Sequence, residues 1–213
     1  MVKAVIWDFG GVLTTSPFEA FNRFEAERGL PADFIRKVNS TNPDTNAWAL
    51  FERSDITLTE FDEMFAKEAT ALGGSVTGRE VVALLSGDIR PEMVTALKRC
   101  KEKFTVGCIT NNVSAGEGAG MARTEAKAAA VADVMTLFDH VIESSKIGIR
   151  KPDPRIYEMA CETLGVEASQ SVYLDDLGIN LKPAKALGMT TIKVLTAEQA
   201  LTDLETAVGF SLR

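Results

Sequence analysis

Four short apolar runs, Ala4 to Trp7, Phe104 to Ile109, Ser171 to Leu174 and Thr190 to Leu195, constrain the fold of this chain more than any other feature. They are rich in valine and isoleucine, do not alternate with polar residues, and are separated by segments of helical pattern. A strand reads this way when helices cover both faces of a parallel sheet and leave it no solvent side. His140 to Ile142 is a candidate fifth strand. The pattern predicts an α/β fold with a doubly wound, mainly parallel sheet. In such folds the loops at the carboxyl ends of the strands carry the chemistry.

Between the first two runs, residues 17–90 read as helices. Ser16-Pro17-Phe18-Glu19 has the form of a capping box with proline at the first helical position, followed by Phe18, Phe21 and Phe24 and a stop at Gly29. Phe61, Met64, Phe65 and Leu72 share a second helical face that ends at Gly73-Gly74. The expected organisation is an α/β domain from 1–16 and 91–213 with a helical domain, 17–90, inserted after the first strand. Trp48, Phe51 and the phenylalanines form the core of the insertion. Residues 91–102 return as an amphipathic helix with Met93, Val94, Leu97 and Cys100 on one face. SAGEGAG at 114–120 lacks the glycine placement of a nucleotide-binding turn and reads as a loop ahead of an alanine-rich helix near 121–136.

A chain of 213 residues with 46% apolar and 25% charged residues has material for a sizeable core, and no apolar run reaches the roughly 20 residues of a membrane span. A net charge of -7 argues against a nucleic-acid partner, which usually meets a basic face. A small phosphorylated substrate is still admissible where a cation receives it. Cys100, Cys108 and Cys161 have no C-x-x-C spacing and suit packing in a reducing compartment. With MVKAVIWDFGG read as a first strand, the expectation is a cytoplasmic protein, monomer or homodimer, without nucleic acid or membrane as partner.

The strand ends carry the chemistry-bearing residues. The first run leads to Asp8, the second to Thr110-Asn111-Asn112, the third to Asp175-Asp176, and Lys151 opens the helical RKPDPRIYEMACETLG. Singly, each acid reads as a turn residue and Lys151 as a solvated charge. Together, at one edge of a parallel sheet, they place three carboxylates, a hydroxyl and an ammonium in one crevice. Close carboxylates repel unless a cation lies among them, and Mg2+ commonly takes one or two carboxylates while keeping positions for water and phosphate. The set suits a phosphate ester, with Asp8 as nucleophile, Lys151 offsetting phosphoryl charge and Thr110 donating a hydrogen bond. His140, the only histidine, reads as structural or partly exposed.

In order and spacing, Asp8 in VIWDFGGVLTT, Thr110 in CITNN, Lys151 in IRKPDP and Asp175-Asp176 in YLDDLGIN resemble the four motifs of the haloacid dehalogenase superfamily. FDHVIESSKIGIRKPDPRIYE and VYLDDLGINLKPAKALGMTTI are most similar to the amino-terminal phosphatase domain of soluble epoxide hydrolase and the hydrolase-like domain of an acyl-CoA dehydrogenase relative. The resemblance implies a Rossmann-like core with an inserted cap and an aspartyl-phosphate at Asp8. It also implies that Asp8, Asp176 and the Gly10 carbonyl bind Mg2+, with Asp175 acting through water or from behind the direct ligands. Thr110, Asn111 and Lys151 would hold the phosphoryl group and Asn180 would support the metal site.

Phosphatases of the superfamily usually carry a second aspartate two residues after the nucleophile, as acid and base; this chain has Gly10 there. The leading expectation is an Mg2+-dependent phosphatase restricted by that change. A metal-independent 2-haloacid dehalogenase is the first alternative, although the acid pair Asp175-Asp176 makes sense mainly with a cation. A non-catalytic phosphometabolite-binding module is the second.

Overall fold

The computed structural model describes residues 1–113 and 124–213, so the SAGEGAG stretch lies outside the described residues. Five strands, β1 (Ala4–Trp7), β2 (Thr105–Thr110), β3 (His140–Glu143), β4 (Ser171–Asp175) and β5 (Thr190–Lys193), form one parallel sheet in the order β3-β2-β1-β4-β5. The fifth strand is present, with His140 exposed on the edge. β1 is central and wholly buried, as its unbroken apolar sequence requires.

Successive side chains of β1 point to opposite faces and help fill two cores. Val5 and Trp7 join a layer with α6 (Pro91–Lys101), α7 (Glu125–Met135) and α11 (Ala197–Val208). Ile6 joins Tyr157, Tyr173 and Leu181, in a layer formed with α9 (Pro154–Leu164) and α10 (Gly178–Ala186), and the single turn α8 (Ser144–Ile147) follows β3. In α6, Met93, Leu97 and Cys100 are buried and Val94 packs against them. Trp7 is in register with Cys108 and Leu174, so β2 and β4 flank the end of β1 and run on past it to Thr110 and Asp175.

The helices α1 (Phe18–Arg28), α2 (Phe34–Ser40), α3 (Ala47–Glu52), α4 (Leu58–Ala71) and α5 (Gly78–Val82) lie between β1 and α6 and have a core of their own. Phe61 stacks on Phe51 at 4.4 Å between ring centroids and meets Trp48 edge-on at 5.9 Å. Buried Glu25 turns inward to accept the N–H groups of Asp33 and Ile35 at 2.9 and 2.8 Å, which satisfies donors at the start of α2. The two connections to the sheet run side by side: Thr15 N–H donates to Asp88 O at 2.8 Å and Arg90 N–H to Leu13 O at 2.9 Å.

Local differences from the sequence reading have physical causes. The capping box expected at Ser16 does not form: α1 begins at Phe18 with Pro17 in the cap position, and Ser16 Oγ accepts Phe18 N–H at 3.4 Å while donating to Asp176 at 3.5 Å. The capping box of the insertion is at Thr57 and Glu60 instead. β5 stops at Lys193, because Leu195 N–H turns to Gln199 Oε1 at 3.0 Å and Thr196 caps α11. Lys151 precedes α9 rather than opening it, since Asp153 caps the helix and Pro154 takes its first position. Among the described residues no helix is long and apolar enough to cross a membrane.

Candidate active site

The register of the sheet places the acids before any side-chain contact is considered. Trp7 pairs with Leu174, so the next residue on each strand is Asp8 on one and Asp175 on the other; Asp8 N–H donates to Leu174 O at 2.8 Å. Asp8 and Asp175 share strand parity with Ile6 and Tyr173, the residues that face α9 and α10. Asp176 follows, and one carboxylate oxygen from each of Asp8, Asp175 and Asp176 lies within 4.8 Å of the others.

Lys151 reaches this cluster from the loop before α9 with 1% of its surface exposed. Its ammonium donates to Asp8 Oδ1 at 2.8 Å, Asp175 Oδ2 at 2.9 Å and Ile109 O at 3.0 Å, which uses its three protons. Burial pulls Lys151 toward neutrality, but Asp175 and Asp8 outweigh it and hold the ammonium above the ordinary lysine range. Burial pushes the Asp8 carboxyl well above its usual range, and Asp175 and Asp176 add to this while Lys151 opposes it. Asp176 is pushed up to about 6 by burial and then by Asp175.

The two members of the acid pair have different surroundings. Asp175 is wholly buried: Oδ1 accepts Leu177 N–H at 2.8 Å, Oδ2 accepts Lys151, and Asn180 Nδ2 lies 3.1 Å from both oxygens. The Tyr173 hydroxyl also donates to Asp175 Oδ2, and Tyr157 holds the Asn180 carbonyl at 2.7 Å. Asp175 is therefore a hub that orients Lys151, and Asn180 supports the hub. Asp176 meets Ser16 Oγ at 3.5 Å and is the more accessible of the pair.

Thr110, 3% exposed, ends β2 beside β1. The Asn111 side chain binds the backbone of Lys151: its Oδ1 accepts Lys151 N–H at 2.8 Å and its Nδ2 donates to Lys151 O at 3.0 Å. The Gly10 position is open, with no described atom within 4 Å of where a Cβ would stand. Gly11 is the opposite case: at φ 76 a Cβ would overlap the Asp176 carboxylate.

An all-oxygen donor set, a surplus of carboxylates over one ammonium and two acids held above their usual range fit a hard divalent cation. Tyr173 and Gly11 were not singled out in the sequence, and Ser16 was read there only as a helix cap. Tyr173 had a signal, since a residue two before Asp175 on a strand shares its face; the others depend on contacts between distant segments.

The haloacid dehalogenase-like hydrolase family model matches residues 2–188. Acyl-CoA dehydrogenase family member 10 of Mus musculus is 33% identical over 99% of this chain, which spans 19% of that protein. Bifunctional epoxide hydrolase 2 of Mus musculus is 29% identical over 98% of this chain, which spans 39% of that protein. The chain thus corresponds to less than half the length of either. A phosphatase of Mycobacterium tuberculosis is 32% identical, with 88% of this chain and 85% of that protein aligned. A haloacid dehalogenase family enzyme of Bacteroides thetaiotaomicron, solved with magnesium and inorganic phosphate, superposes with a TM-score of 0.62 at 19% identity and covers 96% of this chain and 99% of its own. The L-2-haloacid dehalogenase of Xanthobacter autotrophicus also gives 0.62, at 20% identity over 97% of this chain and 83% of its own.

Proposed function

The chain belongs to the haloacid dehalogenase-like hydrolase family, and on that premise we propose that it is an Mg2+-dependent phosphatase working through an aspartyl-phosphate at Asp8. The observation that carries this reading is the cluster of Asp8, Asp175 and Asp176 around a buried Lys151. Similarity in sequence to a phosphatase supports it; the fold alone does not discriminate, because a dehalogenase superposes equally well.

Asp8, Asp176 and the Gly10 carbonyl are the groups that would hold Mg2+, which supplies positive charge against the phosphoryl oxygens. Asp8 attacks phosphorus while the bond to the leaving oxygen breaks, and water then cleaves the acyl phosphate to release phosphate and free Asp8. Phe9 N–H, 2.7 Å from Asp8 Oδ1, and Lys151 together fix the plane of the carboxylate. Lys151 also offsets the charge that builds on the phosphoryl group, and Thr110 and Asn111 close the side opposite the acid pair.

With Gly10 in place of an acid, leaving-group protonation and water activation fall to another donor. Esters with good leaving groups, aryl or acyl phosphates, are the substrates least affected, and small phosphate esters are the class proposed.

A rapid-quench time course of para-nitrophenol release from para-nitrophenyl phosphate, with Mg2+ or EDTA and on wild type and Asp8→Asn, tests the reading. Metal-dependent release that needs Asp8 is expected. Absence of release, together with EDTA-insensitive halide release from 2-chloropropionate, overturns it in favour of dehalogenation.

A further inference from the structure

Glu52 is the last residue of α3 in the helical insertion, yet its carboxylate is buried against the α/β layer. Arg150 Nε donates to Glu52 Oε2 at 2.5 Å, and Asn111 Nδ2 approaches the same oxygen at 3.4 Å. The Glu52 backbone carbonyl accepts Ser144 Oγ at 2.7 Å, and Ser144 Oγ also receives Asn112 N–H at 3.1 Å. Arg150 continues to Pro43 O at 2.9 Å. One end of α3 is thus tied to the loop after β2, to Ser144 just after β3 and to the loop before α9, far in sequence from the two covalent connections.

We infer that Glu52 is a positioning residue: with Arg150 it clamps the insertion onto the sheet and sets, through Asn111, where Lys151 stands. This rests on the phosphatase reading for its catalytic consequence. The path is short and each step is a hydrogen bond. Asn111 has two amide protons and a carbonyl; one proton and the carbonyl hold the Lys151 backbone, and the other proton faces Glu52. Glu52 therefore reinforces the facing of the Asn111 amide, and that amide brackets both backbone groups of the residue whose ammonium touches Asp8 and Asp175. Without Glu52, Arg150 loses its carboxylate and Asn111 one of its acceptors, and Lys151 is left with a looser backbone.

The test uses the whole chain and the variants Glu52→Ala, Glu52→Gln, Arg150→Gln and Glu52→Ala with Arg150→Gln. Hydrogen exchange of peptides spanning 144–153 reports the Lys151 amide independently of turnover, and kcat and KM are measured with para-nitrophenyl phosphate and Mg2+. Glu52→Ala and Arg150→Gln are each expected to speed exchange there and lower kcat by about ten-fold to a hundred-fold, with KM changed far less. The double variant should be no worse than the poorer single variant, and Glu52→Gln, which keeps an acceptor for Asn111, should recover part of kcat. Should Glu52→Ala not fold, Arg150→Gln, which keeps the Glu52 carboxylate as an acceptor for Asn111, is read in the same way. Unchanged exchange at 144–153, or faster exchange with unchanged kcat, overturns the inference. Absence of turnover in the wild type refutes the phosphatase reading, while the exchange measurement still decides whether Glu52 holds the Lys151 segment.

Discussion

Lys151 Nζ lies 2.9 Å from Asp175 Oδ2, and neither side chain has more than 1% of its surface in contact with solvent. Asp8 shares the same ammonium, so removing it would leave buried carboxylates without their counter-charge. Breaking a buried ion pair from one side typically costs about 3–5 kcal/mol. Lys151→Met is therefore expected to lower the unfolding free energy by about that much in EDTA, read from urea denaturation, with Mg2+ restoring part of the loss. Asp8→Asn should cost much less, because it removes one of the mutually repelling acids. Equal stability of Lys151→Met and wild type in EDTA would show that the lysine does not balance these charges.

Gly10 and Gly11 are neighbours with opposite tolerances. A methyl group on Gly10 meets no described atom within 4 Å, whereas on Gly11 it would strike the Asp176 carboxylate at a backbone angle, φ 76, that side chains rarely adopt. Gly10→Ala is expected to leave the thermal midpoint and Mg2+ affinity close to wild type. Gly11→Ala should lower the midpoint, at a cost of roughly 1–3 kcal/mol from backbone strain, and weaken Mg2+ binding in calorimetry by displacing Asp176. Similar behaviour of the two variants would contradict the placement of Asp176 over Gly11.

The sheet was legible because its strands must be buried on both faces. An unbroken run such as Ala4 to Trp7 has few alternatives, and the acids one residue beyond Trp7 and Leu174 then meet by register alone. The start of α1 was less legible, since Ser16 has two competing uses and the contact to Asp176 lies 160 positions away in the chain. Glu52 carried no signal: a glutamate at the end of a short helix reads as exposed, and its burial depends on Arg150 and Ser144 arriving from the other layer. Asn111 was legible in place, whereas its side-chain bonds to the backbone of Lys151 had no signal, because the two residues lie far apart in the chain.

The cysteines were read as packing residues, and their surroundings make that testable. Burial pushes the Cys100 thiol up to about 12, and Cys108, deeper and near Asp8, higher still. Cys161 is raised by burial as well. Because the thiolate is the reactive form, Ellman's reagent at pH 8 should label the folded protein negligibly over minutes and all three thiols promptly in guanidinium. Fast labelling of one thiol in the native state would reveal an exposed, activated cysteine.

The open Gly10 position predicts a gain rather than a loss. Its backbone lies outside the left-handed region and a Cβ there meets no described atom within 4 Å, so Gly10→Asp introduces a carboxyl two residues from Asp8 without backbone strain. General acid catalysis is typically worth about a hundred-fold to ten-thousand-fold, and it matters most where the departing oxygen is strongly basic. The variant should therefore raise kcat for an alkyl ester such as glycerol phosphate by a factor in that range and change para-nitrophenyl phosphate far less. It should also abolish a pre-steady-state burst if hydrolysis of the aspartyl-phosphate limits the wild type, since the same carboxylate activates water. An unchanged alkyl-phosphate rate in a folded, Mg2+-binding variant would mean that another group already supplies the proton, and that Gly10 does not restrict the substrate.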